Sequence, residues 1–258
     1  MTGVMTNLWF PRVAHRRWPR VRLLCVGGAG TGPSEFAGWS TELPGAVELW
    51  PAQLPGRERR IREAPAPCID ELADDLAEQM WRYSDPSLPW ALFGHSFGSL
   101  VVYEVAKRII GVLPMCGLIV SSMAVPHQQV NRLPVQGSDD HTLLDWVRTA
   151  GGTESSLLDD PRFASWLAED LRVTLRIRQD YSPKRPAPLP CPILALGGAD
   201  DPDAQPEDLA QWCAYTSKSF AYQQIGSGHF FLRDSRPDVV GTIAAQLEDW
   251  TQPVAVHR

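Results

Sequence analysis

The stretch "WALFGHSFGSLVVYEVAKRI" at residues 90–109 decides the fold. Its first part is a short continuous apolar run, its second a helical pattern, and Ser96 stands at the junction between Gly94 and Gly98. Continuous apolar runs of this length read as parallel strands covered on both faces. Leu100, Val101, Tyr103, Val105 and Ile109 fill most of the following helix surface, so that helix is expected to be deeply buried. Gly-x-Ser-x-Gly at a strand-to-helix turn imposes strained backbone angles on the serine and holds its hydroxyl clear of the sheet. Small residues two before and two after let strand and helix approach closely. The helix N-terminus also turns free amides toward the hydroxyl.

Further apolar runs lie at 21–27, 47–53, 117–122 and 191–198, and a weaker one at 219–226 is expected nearer an edge. Helical patterns separate them at 69–83, at 97–110, after Pro206 and after "SRPD" at 235–238. Strands alternating with helices predict a mostly parallel sheet with helices on both faces. Almost seventy residues between Ser122 and Cys191 contain no convincing strand but two helical stretches, at 140–150 and 161–180. The expected organisation is therefore one domain over 1–258, with a helical lid subdomain at about 126–186 inserted between core strands.

Composition sets outer bounds. The chain has 258 residues, 44% of them hydrophobic, enough to bury one sizeable core. A net charge of −6 argues against general nucleic-acid binding, and no apolar run approaches the ~20 residues of a membrane helix. Five arginines and no acid occupy the first 22 residues, without the apolar stretch of a secretory signal. Five cysteines without CxxC pairing make a reducing cytoplasm the simplest setting. No histidine or cysteine cluster has metal-ligand spacing, so no metal is expected.

A serine needs a base to become a nucleophile, and the base needs an orienting acid. "LALGGADDPDA" supplies Asp200, Asp201 and Asp203 after one strand, and "IGSGHFFL" supplies His229 after the last. The order Ser, Asp, His is the one expected of α/β-hydrolases. His15 and His257 lie near the termini, His127 and His141 fall in the inserted region, and His95 is expected to point away from the base position. Between the neighbours Asp200 and Asp201 the residues alone leave the choice open. An oxyanion hole requires two backbone amides: one from Phe97, the other from the loop "VGGAGTGPSEF" at 26–36. Gly28, Gly30 and Gly32 in that loop have the wrong spacing for a dinucleotide fingerprint.

These residues resemble the type II thioesterases that accompany polyketide synthases and nonribosomal peptide synthetases. The likeness spans nearly the whole chain. It rests on "WFPR" at 9–12 with "VRLLCV", "VELWPAQLPGRERRIREAP" at 47–65, "LFGHSFGSLVVYEVA", "GGADDPDAQPEDLAQW" and "GSGHFFL". The resemblance implies the α/β-hydrolase fold and a triad of Ser96, Asp201 and His229, with oxyanion amides from Ala29 and Phe97. It also implies hydrolysis of acyl groups from the phosphopantetheine thiol of acyl or peptidyl carrier proteins, an editing activity that needs no cofactor of its own.

One departure bears on that expectation. The family's first loop usually reads like "FPHAGG", whereas this chain has "VGGAGT" at 26–31. Gly27 and Gly28 in place of proline and histidine are expected to loosen the support of the Ala29 amide. Slower hydrolysis is one consequence; a chain-releasing or cyclising acyltransferase or esterase is the alternative, and a non-catalytic carrier-binding scaffold a third. Arg57, Arg59, Arg60, Arg62 and the arginines at 12–22 are candidates for docking an acidic carrier protein, against an ordinary solvated surface. Leu143, Leu144, Trp146 and Trp166 are candidates for lining an acyl chamber, against simple packing.

Overall fold

The computed structural model describes residues 7–83, 85–131, 139–150, 153, 155–181, 183 and 185–252. Positions 132–138, 151, 152, 154, 182 and 184 of the expected insertion lie outside them, as does His257. The strands are β1 (Val21–Val26), β2 (Val47–Pro51), β3 (Trp90–His95), β4 (Met115–Ser121), β5 (Ile193–Gly197) and β6 (Phe220–Gln224). Among the described residues the α-helices are α1 (Trp39–Glu42), α2 (Ile69–Tyr83), α3 (Phe97–Ile109), α4 (Asp140–Ala150), α5 (Ser155–Leu158), α6 (Pro161–Asp180), α7 (Pro206–Ala210), α8 (Phe231–Asp234) and α9 (Arg236–Thr251). No helix among these residues is long and apolar enough to cross a membrane.

The six strands form one sheet in the order β2-β1-β3-β4-β5-β6, and every neighbouring pair is parallel. Alternate residues of the apolar strands enter two different cores, which is why these runs are apolar almost throughout. Leu24, Val26, Leu92 and Val120 meet α2 and α3 on one face. Leu23, Cys25, Phe93 and Ile119 meet α1, α8 and α9 on the other. β6 lies at the sheet edge and is largely exposed, in keeping with its mixed sequence. The direction of strand succession reverses between β1 and β3, and a crevice opens at such a switch point beyond the carboxyl ends of the strands.

Two local features place the elements around that crevice. α3 is buried along nearly its whole length, so strand β3 delivers it straight into the first core. α6 starts sharply, because Asp160 accepts hydrogen bonds from the Arg162 and Phe163 amides and Pro161 holds the first helical position. α4, α5 and α6 share a separate small core of Leu143, Val147, Leu158, Leu167 and Leu171, and Ala29 of the loop after β1 packs against it. The helices between β4 and β5 thus stand over the carboxyl edge of the sheet.

Candidate active site

Ser96 sits between β3 and α3 with φ 51° and ψ −124°, a left-handed backbone that a serine adopts only under constraint. The constraint is the crossing of three backbones. A β-carbon on Gly94 would stand 2.4 Å from the Gly98 carbonyl oxygen, so the pair of glycines is a steric requirement of the turn. Ser99 ties it down: its single hydroxyl proton faces the Gly94 and Ser121 carbonyls at 2.8 and 3.0 Å, and its oxygen accepts from the Ser121 amide. Sequence reading passed over Ser99, which occupies one more small position in the helix.

The loop after β6 brings His229 to the serine, with Nε2 2.9 Å from Ser96 Oγ. On the other side of the ring, Nδ1 lies 3.1 and 3.2 Å from the two carboxylate oxygens of Asp201. With the Nδ1 proton facing that carboxylate, Nε2 is left to accept from the Ser96 hydroxyl. Asp201 is fully buried, whereas Asp200 beside it is exposed to solvent. The Asp203 amide donates to Asp201 Oδ1, and the Ser122 hydroxyl donates to the His229 carbonyl. Burial pushes the Asp201 carboxyl up, but bonding to His229, the His229 charge, and the Ser122 and Asp203 hydrogen bonds outweigh it and hold the group below its ordinary range. Asp201, Asp203 and His229 also bring ligand-type atoms within 4.8 Å of one another, but the His229 and Asp201 atoms already face each other at hydrogen-bond distance.

The remaining described histidines are engaged elsewhere. His15 meets Glu48, His127 stacks on Tyr215 and His141 pairs with Asp145. His95 is fully buried and its Nδ1 bonds the Ser121 hydroxyl at 3.0 Å, although its ring lies only 5.4 Å from that of His229. Burial and the neighbouring His229 push its pKa well down, so it stands as a neutral ring behind the site.

Ala29 borders the cavity beside Ser96, and Phe97 follows the serine directly in the chain at the start of α3. Among the described residues neither amide finds an acceptor within the chain, so both remain free for a ligand. The loop that carries Ala29 is not slack, as the two glycines had suggested. A β-carbon on Gly27 would stand 2.2 Å from Thr31 Oγ1 and 2.4 Å from Glu35 Oε2, because that hydroxyl–carboxyl pair fills the space. Burial raises the Glu35 pKa, partly offset by the Thr31 hydroxyl and the Arg233 charge.

A cavity of about 240 Å³ opens beside Ser96 and His229. Trp146, Leu157, Phe163, Leu167 and Leu171 supply its apolar wall, and Arg233 adds an exposed cation. Of the four lining candidates only Trp146 reaches it; Leu143, Leu144 and Trp166 belong to the core of the α4–α6 helices, where their own faces need cover. The docking candidates divide as well. Arg22, Arg57 and Arg60 are buried, bonded to Glu48, to Gly28 and to Glu63 respectively, whereas Arg12, Arg17, Arg20, Arg59 and Arg62 are exposed.

Comparison with known proteins gives the chain's family. The family model described as a thioesterase domain matches residues 21–247. Thioesterase PikA5 of Streptomyces venezuelae is 33% identical over 95% of this chain and 87% of its own length. The gramicidin S biosynthesis protein GrsT of Aneurinibacillus migulanus is 31% identical over 93% of this chain and 94% of its own. Among solved structures, the type II thioesterase BorB from the borrelidin biosynthetic cluster superposes with a TM-score of 0.82 at 30% identity, covering 93% of this chain and 98% of that one. A parallel sheet with a serine turn at its switch point and a family match over almost its whole length make this chain a member of the thioesterase family, on the α/β-hydrolase fold and among the type II thioesterases.

Proposed function

We propose that this protein hydrolyses acyl thioesters from the phosphopantetheine arm of carrier proteins, editing a polyketide or nonribosomal peptide synthase, with Ser96, His229 and Asp201 as its triad. One observation carries the reading: Ser96 Oγ lies 2.9 Å from His229 Nε2 beside an apolar cavity, with two free amides at hand. Ser96 attacks the thioester carbonyl as its proton passes to His229, and Asp201 holds the imidazole and stabilises its charge. The amides of Ala29 and Phe97 receive the oxyanion. Collapse expels the thiol, protonated by His229. A water deprotonated by His229 then attacks the acyl-serine, and the acid leaves as the proton returns to Ser96. Each step draws on this chain's own groups; the phosphopantetheine belongs to the substrate. The working partners are acyl or peptidyl carrier domains. The proposed setting is the cytoplasm, where the five free thiols stay reduced.

The test offers acyl-carrier proteins, acyl-cysteamine thioesters and oxygen esters to the wild type and to Ser96→Ala. Hydrolysis of carrier-bound thioesters that disappears in the variant supports the proposal. Turnover of oxygen esters with inert thioesters points instead to an esterase or chain-releasing enzyme. Carrier binding without turnover points to a scaffold.

A further inference from the structure

The triad leaves the segment "QLPGRERR" at 53–60 without a part to play. Its first arginine, Arg57, is only 5% exposed. Nη1 donates to the Gly28 carbonyl at 2.6 Å and the Thr31 carbonyl at 3.1 Å, and Nη2 donates to Thr174 Oγ1 on α6 at 3.2 Å. Nε faces Asp170, also on α6, at 3.6 Å, and the guanidinium lies 5.7 Å over the Phe97 ring. Asp170 in turn accepts the Gly30 amide at 2.7 Å. The next residue, Glu58, accepts from the Ser34 amide at 2.9 Å and from the Ser34 hydroxyl. Leu167 of α6 occupies the space a Gly30 side chain would need, and Gly30 has φ +70°. The loop at 28–34 is thus gripped from two sides by residues far away in sequence.

A charged pair buried this deeply gains little net stability over an apolar replacement. We propose that Arg57 and Asp170 are positioning residues for the oxyanion loop, and that α6 must be seated for that loop to be formed. Arg57 draws the carbonyls of Gly28 and Thr31 inward, while Asp170 takes the Gly30 amide. The intervening Ala29 amide is then the one left without a partner, presented on the side of Ser96. A guanidinium suits this task because its five donors are spread over three nitrogens in a rigid planar fork, whereas the three donors of an ammonium radiate from one atom. The inference rests on Ala29 contributing to the oxyanion hole in the function proposed above.

The experiment compares wild type, Arg57→Lys, Asp170→Asn and the double variant Arg57→Met/Asp170→Asn, which leaves no buried charge unpaired. Two rates are measured: acyl-thioester hydrolysis, resolved into kcat and KM, and labelling of Ser96 by a fluorophosphonate. In labelling, the serine oxygen bonds to phosphorus, fluoride leaves, the proton passes to His229, and the phosphoryl oxygen takes the oxyanion's place. A loop misplaced by ~1 Å costs on the order of 10²-fold, so both kcat and labelling should fall by that much in folded variants while KM hardly moves. Wild-type kcat and labelling in variants with lowered melting temperatures would show a purely structural pair and overturn the inference. So would full recovery of both rates in the double variant. Should the wild type label but hydrolyse no thioester, the functional reading fails, and the variant-to-wild-type labelling ratio still decides this one.

Discussion

Val26 and Gly98 are in backbone contact: a β-carbon on Gly98 would stand 2.2 Å from the Val26 carbonyl oxygen and 2.7 Å from that of Gly27. The end of β1 therefore lies directly against the first turn of α3, and the two proposed oxyanion donors, Ala29 and Phe97, are held in one rigid unit. Gly98→Ala has to push these segments apart. Overpacking of this kind costs about 1–3 kcal/mol, and the displaced loop should lower kcat by on the order of 10²-fold. Thermal unfolding and thioester hydrolysis measure both; an alanine variant with unchanged kcat would separate the contact from catalysis.

Asp200 and Asp201 offer a contrast between neighbours. Asp201→Asn leaves a buried amide against His229 and disfavours the tautomer that accepts from Ser96, so kcat should drop by about 10⁴-fold, as loss of a triad carboxylate does elsewhere. Asp200→Asn changes an exposed group and should leave kcat near wild type. His229→Ala should abolish turnover, and near-normal activity in it would assign the base elsewhere.

Asp201 and Glu35 should give stability slopes of opposite sign. Asp201 is held below its ordinary value of 3.8, so its contribution is present above that value and is lost as pH falls through the folded pKa. Glu35 is raised above 4.5, so the folded state binds more protons than the unfolded state as pH rises past 4.5, and stability declines there. Glu35→Gln removes that decline and can still accept from Thr31. Its melting temperature relative to wild type should therefore climb from pH 4 to neutrality. A difference that stays flat or shrinks with pH would contradict a desolvated carboxyl at this position.

Acyl length should follow the wall of the cavity. Leu171→Trp fills space beside Ser96, and each methylene denied burial costs ~0.8 kcal/mol, about fourfold in kcat/KM. Long acyl thioesters should lose rate progressively while acetyl is spared. Phe163→Ala should move the preference the other way. Equal losses across chain lengths would mean that the acyl group lies outside this cavity.

What local pattern encodes, the sequence by itself determined. The continuous apolar strands, the buried α3, the Asp160–Pro161 start of α6 and the Gly94–Ser96–Gly98 turn each depend on neighbours within a few residues, so they can be read along the chain. The short helices α1, α5 and α8 have four residues each, too few for a period to emerge. Between the two adjacent aspartates the residues alone left the choice open and the resemblance named Asp201, the one that is buried; only the tertiary structure decided which arginines face inward and that Asp170 reaches Gly30 across 140 positions. Those outcomes come from the packing of distant segments, where charge and size are the same whether a side chain meets solvent or a carbonyl. Arg57 and Arg59 look alike in the sequence; one grips the loop beneath α6 and the other meets water.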